Sequence, residues 1–282
     1  MKYREELGRR TVAISVSDSP DMPALGLSDE HLRDAMAELA RHLLALGARL
    51  AYGGDLRAHG FSEVLFELVA RHRRDADPGD DRAGVINYLA WPVHITMSRL
   101  DLETVTADVA GSAELVCLGL DGARLAMAER LAMEQQQPTL AQWANGLTSM
   151  RRVMRAETQA RIVLGGRRTG YKGAMPGVAE ESLLSLQSRQ PLFLVGGFGG
   201  CVRDIAETLQ IVSPWAGTES NWEARHVFES FRTPDLHNGL TSEENAVLAR
   251  TPHVDQAVTL ILRGLLSVDG HHPGESGGPI PT

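Results

Sequence analysis

Short apolar runs alternate with stretches of helical period along most of the chain. Residues 11–17 read as a first buried strand. Ser28 stands where it can cap a helix, in which Leu32, Met36, Leu39, Leu43 and Leu46 recur with helical period until Gly47 ends it. A second strand over 48–52 leads through Gly53, Gly54 and Gly60 into a helix over 61–73. Further strands are predicted at 85–90, 114–118, 161–164 and 191–195, with helices at 122–135 and 140–159 and a last amphipathic helix over 253–266. This order predicts an α/β, Rossmann-like fold: a mostly parallel sheet with helices on both faces, formed as a single domain over 1–268. Residues 91–111 fit no motif, and a lid or a contact between subunits are both open to them. The tail at 269–282, rich in Gly and Pro, is expected to be disordered.

In such sheets ligands sit at the carboxyl ends of the strands. That rule brings Ser17 and Asp18, Gly53 and Gly54, and two glycine-rich turns to one crevice. The first turn is Gly165-Gly-Arg-Arg-Thr-Gly-Tyr-Lys-Gly-Ala-Met-Pro-Gly177, and the second is Gly196-Gly-Phe-Gly-Gly200. Glycines at a strand end permit positive φ and close backbone approach. The helix that follows offers free N–H groups, a combination that suits anions. Candidate contacts are therefore Gly165, Gly166, Gly173, Gly196, Gly197, Phe198, Gly199 and Gly200.

Charge sharpens this picture. The chain has a formal net charge of −8, yet between 151 and 173 Arg151, Arg152, Arg155, Arg161, Arg167, Arg168 and Lys172 face one acid, Glu157. A positive island in an acidic protein suits a small anion. Lysine occurs only at Lys2 and Lys172, so Lys172 in the first glycine turn is a candidate point charge for phosphate or ribose oxygens, with Arg167 beside it. On the helix at 140–159, Met150 with Met154 and Arg151 with Arg155 each share a face. The methionines read as core, whereas the arginines fit either ligand contact or compensation of the helix dipole. Trp215, Asn221, Trp222 and Arg225 fit either a flap over the crevice or ordinary packing.

Composition removes several classes. At 282 residues and 43% apolar, with no apolar run near eighteen, the chain is expected to be a soluble protein of the cytoplasm, and its first residues do not read as a signal peptide. A pI near 5.7 argues against general nucleic-acid binding. Cys117 and Cys201 lack Cys-x-x-Cys spacing and read as reduced packing residues. The ten histidines make no metal motif, and the acidic stretch at 75–81 lacks calcium-loop spacing, so no metal is expected. Gly-Glu-Ser-Gly-Gly at 274–278 imitates a serine nucleophile without the strand and helix such a site requires. Lys172 is followed by glycine, which excludes a Walker A loop.

Leu147-Thr-Ser-Met-Arg151, Ala160-Arg-Ile-Val-Leu-Gly-Gly166, Gly170-Tyr-Lys-Gly173, Met175-Pro-Gly177, Glu180-Glu181 and Gly196-Gly-Phe-Gly-Gly200 together resemble the SLOG superfamily. These are Rossmann-like sensors of nucleotide derivatives, related to the lonely-guy phosphoribohydrolases and to the DNA-processing Smf (DprA) proteins. The similarity is nearest to the sensor domains that accompany TIR or SIR2 effectors in Thoeris-type anti-phage systems. It implies an ADP-ribose-like ligand such as a cyclic ADP-ribose isomer, with no resident cofactor. It also implies a TIR-type or SIR2-type effector as partner, a homo-oligomer, and ligand contacts from Arg151 and Arg155. One of Glu180 and Glu181 would accept ribose or adenine hydrogen bonds. The alternative is a nucleotide N-glycosidase of the lonely-guy type. Where that family's Pro-Gly-Gly-x-Gly-Thr-x-x-Glu loop carries its glutamate, this chain has Arg203, which opposes a ribosyl cation and favours the sensor over the enzyme. The remaining carboxylates, Glu180 and Glu181, keep the enzyme reading open.

Overall fold

Alternation along the first strand, β1 (Thr11–Ser17), sends Val12, Ile14 and Val16 into one apolar cluster and Ala13 into another on the opposite face. Both faces of the sheet therefore need covering, and helices supply it. In the computed structural model, which describes residues 5–8, 10–54, 56, 60–75, 84–215 and 222–269, one face packs on α1 (Asp29–Ala45), α2 (Phe61–Asp75) and α10 (Val254–Asp269). The other face packs on α6 (Leu140–Glu157), α7 (Gly177–Gln187) and α8 (Gly200–Thr208). Met150 and Met154 of α6 are buried in the core beneath Ala13, as their spacing predicts.

The other strands are β2 (Arg49–Gly53), β3 (Val85–Leu89), β4 (Ala113–Leu118), β5 (Arg124–Leu125), β6 (Ala160–Gly165) and β7 (Leu192–Val195). They form a sheet of order β5-β4-β3-β2-β1-β6-β7, parallel except where β5 runs antiparallel to β4. The fold is thus α/β and Rossmann-like, with helices on both faces. From β1 the chain proceeds to β2, β3 and β4 on one side, then returns to place β6 and β7 on the other. The strand order reverses at β1, which puts a crevice between the carboxyl ends of β1 and β6.

The helix expected over 122–135 is a correction. Gly122 turns the chain back at φ +88°, with Gly119 N–H donating to Ala123 O at 2.8 Å and Ala123 N–H to the Asp121 side chain at 3.0 Å. Residues 124–125 are thereby spent on the edge strand β5, opposite Cys117 and Leu118. Only α5 (Met127–Leu131) remains helical. The segment 91–111 folds into α3 (Trp91–His94) and α4 (Arg99–Asp108). Gly146 of α6 lies against Pro92, where a side chain would collide, so α3 and α6 approach closely.

The acidic stretch beyond Asp75 and the tail after Asp269, with its Gly-Glu-Ser-Gly-Gly, lie outside the described residues. Among the described residues no helix is long and apolar enough to cross a membrane.

Candidate functional site

The crevice at the reversal point opens into a cavity of about 660 Å³. The end of β1 contributes Ser15, Ser17 and Asp18, the end of β2 contributes Gly53 and Gly54, and the turn after β6 contributes Arg167, Tyr171 and Lys172. Helix α6 crosses the cavity with Trp143, Leu147, Met150 and Arg151, which occupy one helical face at spacings of four, three and one. Val93 of α3 and Met97 just after it add apolar lining, Thr96 adds a hydroxyl that donates to Val93 O, and Glu181 of α7 completes the floor.

The floor is a buried ionic network. Arg151, 8% exposed, pairs with Glu180 through Nη1, and Thr148 Oγ1 donates to the same carboxylate at 2.5 Å. Glu181, 6% exposed, lies 3.3 Å from Arg161 Nη1 and 3.9 Å from Arg151 Nε. Arg161 sits wholly buried near the start of β6, donating to Ser15 Oγ at 2.6 Å and Ser185 Oγ at 3.2 Å. Burial pulls its pKa down, and the Glu181 carboxylate opposes that pull. Arg151 Nε and Arg161 Nη2 are both buried without a hydrogen-bond partner among the described residues.

Two basic residues of the glycine turn guard the mouth. Arg167 N–H donates to Ser17 Oγ at 3.2 Å, and its guanidinium pairs with Asp18, both side chains being about half exposed. Lys172 has no carboxylate partner among the described residues; its ammonium lies 3.6 Å from the centroid of the Trp143 ring.

Of the residues singled out in the sequence, Ser17, Asp18, Gly53, Gly54, Arg151, Arg167 and Lys172 line this cavity together. Glu180 lies behind the wall, engaged by Thr148 and Arg151. Gly173 borders the same pair, since a Cβ there would stand 3.1 Å from Arg151 Nη1. Gly165 and Gly166 take φ of +63° and +105° and let the end of β6 pass close to Ser17 and Cys201. Their part is to shape the turn rather than to face the cavity.

The second glycine turn is not brought to the cavity. A Cβ on Gly196 would lie 2.5 Å from Ala249 O, and Gly197 abuts Thr251, so both pack under the residues that join α9 (Ser242–Leu248) to α10. Phe198 is buried at 1% exposure. Gly199 and Gly200 carry φ of +72° and +68° and open α8, as an anion site requires, but the anion there is the protein's own. Asp21 Oδ2 accepts the Gly200 N–H at 2.8 Å, while Asp21 Oδ1 takes Arg168 Nη1 at 2.6 Å. Arg155 is likewise turned away, bonding the Ser188 side chain and, at 2.9 Å, its carbonyl.

Arg203 is 3% exposed, pairs with Glu207 at 2.9 Å and stacks on Trp215 at 4.4 Å. Asp204 holds Arg168 with two bonds of 2.7 Å and accepts Trp222 Nε1–H at 2.9 Å. Trp222 packs edge-on against Phe228, and neither it, Trp215 nor Arg225 lines the cavity, so packing rather than a flap describes them. Asn221 lies outside the described residues. Burial pushes the Cys117 thiol up to about 11 and the Cys201 thiol higher still, which leaves both as inert packing groups.

Trp143, Leu147, Val93, Met97 and Tyr171 were not legible as site residues. The periodic set 143, 147, 150, 151 on a helix correctly placed in the sequence is the signal that would have found the first two. Among the described residues no cluster of three or more His, Cys, Asp or Glu side chains is arranged to hold a metal ion.

A family model described as SLOG cluster2 matches residues 6–248. A search of curated proteins finds no match.

Proposed function

The chain belongs to the SLOG family, and from that premise we propose that the crevice between β1 and β6 binds a nucleotide derivative of the ADP-ribose kind. A cyclic ADP-ribose isomer is the example we favour, with the protein acting as a ligand sensor in bacterial anti-phage signalling. Occupancy would bias a homo-oligomer or a TIR-type or SIR2-type effector. The observation that carries this reading is Arg151, a lining residue of the cavity whose buried Nε makes no hydrogen bond among the described residues, the Glu181 carboxylate standing 3.9 Å away. A buried donor left unpaired costs about 1–3 kcal/mol, and a ligand oxygen that reaches it on a shift of the Arg151 side chain would remove that cost. Glu181, on the same wall, has no hydrogen bond to its carboxylate among the described residues and suits the hydroxyls of a ribose. Lys172, with no carboxylate partner among the described residues, suits a phosphate.

The second reading is hydrolysis of an N-glycosidic bond, favoured by the presence of the Glu181 carboxylate in the cavity. Such chemistry needs a carboxylate whose field acts on cationic charge developing at the ribose. Here Arg161 and Arg151 flank that charge at 3.3 and 3.9 Å, and Arg203 is turned into the core. Both facts favour binding over catalysis.

Calorimetric titration with ADP-ribose, its cyclic isomers, NAD and AMP, followed by analysis of each mixture for free base, separates the readings. The sensor predicts saturable binding of an ADP-ribose-type ligand recovered intact. Released adenine or nicotinamide would establish the enzyme, and absence of binding by all of them would overturn both.

A further inference from the structure

The cavity is graded from end to end by one helix. Trp143 and Arg151 are eight residues apart on the same face of α6, which separates them by about 12 Å along the helix axis. Between them lie Leu147 and Met150, so the wall runs from aromatic through apolar to charged. The position of Trp143 is fixed from both sides: Thr139 and Gln142 form a capping box at the start of α6, and Gly146 seats the same helix against α3. Val93 and Met97, also lining the cavity, carry no charge. The cation at the aromatic end is Lys172, whose ammonium covers the indole face at 3.6 Å.

Resting on the nucleotide reading of this crevice, we infer that Trp143 is the stacking platform for the planar base of the ligand, and that Lys172 is the cover which the base displaces. Stacking of a base on an aromatic ring outweighs an exposed cation–π contact, so the exchange runs downhill. The displaced ammonium stays on the glycine turn beside Arg167 and becomes available to the phosphates, so one movement exposes the base site and delivers a cation to the anionic part of the ligand. This orientation directs the far ribose toward Glu181 and Arg151. It makes the base end selective for planarity, because Leu147, Val93 and Met97 of the lining are apolar.

The test compares wild type, Trp143→Ala and Trp143→Phe by calorimetry, with ADP-ribose and base-free ribose 5-phosphate as probes. Trp143 is partly exposed and outside the buried core clusters, so both variants are expected to fold. The platform predicts that Trp143→Ala weakens ADP-ribose about 10- to 100-fold, that Trp143→Phe recovers most of the loss, and that ribose 5-phosphate binds all three alike. Equal loss of both probes in Trp143→Ala, or no loss of either, would overturn the platform while leaving the nucleotide reading intact. Failure of wild type to bind either probe would overturn both.

Discussion

Arg151 and Arg155 occupy the same face of α6, yet they have opposite surroundings. Arg151 meets the cavity because Gly173 and Gly177 carry no side chain: a Cβ on Gly177 would lie 2.6 Å from Arg151 Nη2. One turn later, Arg155 has reached the end of α7 and spends its donors on Ser188. We expect Arg155→Ala to lower the melting temperature by a few degrees, at about 1 kcal/mol per lost hydrogen bond. Its affinity for ADP-ribose should match wild type, and a loss of affinity with unaltered stability would return Arg155 to the site. The identity of the basic island was legible in the sequence, but the division of labour within it was not. Which arginine faces the cavity depends on where Gly173, Gly177 and Ser188, just after α7, come to lie, and that is tertiary information. Asp21 makes the same point. Nothing in its local sequence marks it as the anion at the start of α8, since the partner that selects it, Gly200, is remote in the chain.

At the scale of elements, the strands at 11–17, 48–52, 85–90, 114–118, 161–164 and 191–195 were readable because each is a short apolar run bounded by glycine or polar turns. The edge strand β5 was not. Its pairing partner is β4, and its own sequence reads as the start of a helix until the turn at Asp121 and Gly122 is given its due. What holds this region to the wall of the site is a buried pair. Arg130 Nε–H donates to His94 Nδ1 at 2.8 Å, which leaves the proton of the neutral ring on Nε2, facing Leu118 O at 2.9 Å. Burial, reinforced by the Arg130 charge and opposed by the Leu118 carbonyl, pulls the His94 pKa from 6.5 down to about 4. Between those values the unfolded chain takes up a proton that the folded chain refuses. Stability is therefore complete above pH 6.5 and declines as pH falls toward 4, by up to about 3 kcal/mol. Urea melts of wild type and His94→Gln at pH 7 and 4.5 check this. The variant is expected to lose less stability between the two, and equal losses would contradict the assignment.

For the whole molecule, the sequence predicted strand–helix alternation, whereas the position of the crevice follows from strand order. Because β6 and β7 add on the far side of β1, the ends of β1 and β6 splay their connections in opposite directions and leave a cavity. The Gly196–Gly200 turn, one strand further out, is instead closed by the segment between α9 and α10 and by Asp21. Local pattern marks both glycine turns as anion sites. Only the assembled sheet distinguishes the open one from the one already filled.

On the proposed function, ligand enters the cavity between β1 and β6. Amide hydrogen exchange with and without saturating ADP-ribose tests it most directly. Ligand in that cavity should add protection at residues 15–18, along 143–151 and through 167–173, with the amides of 196–201 unaffected. Protection confined to 196–201, with 143–151 and 167–173 unaltered, would contradict it and move the site to the second glycine turn.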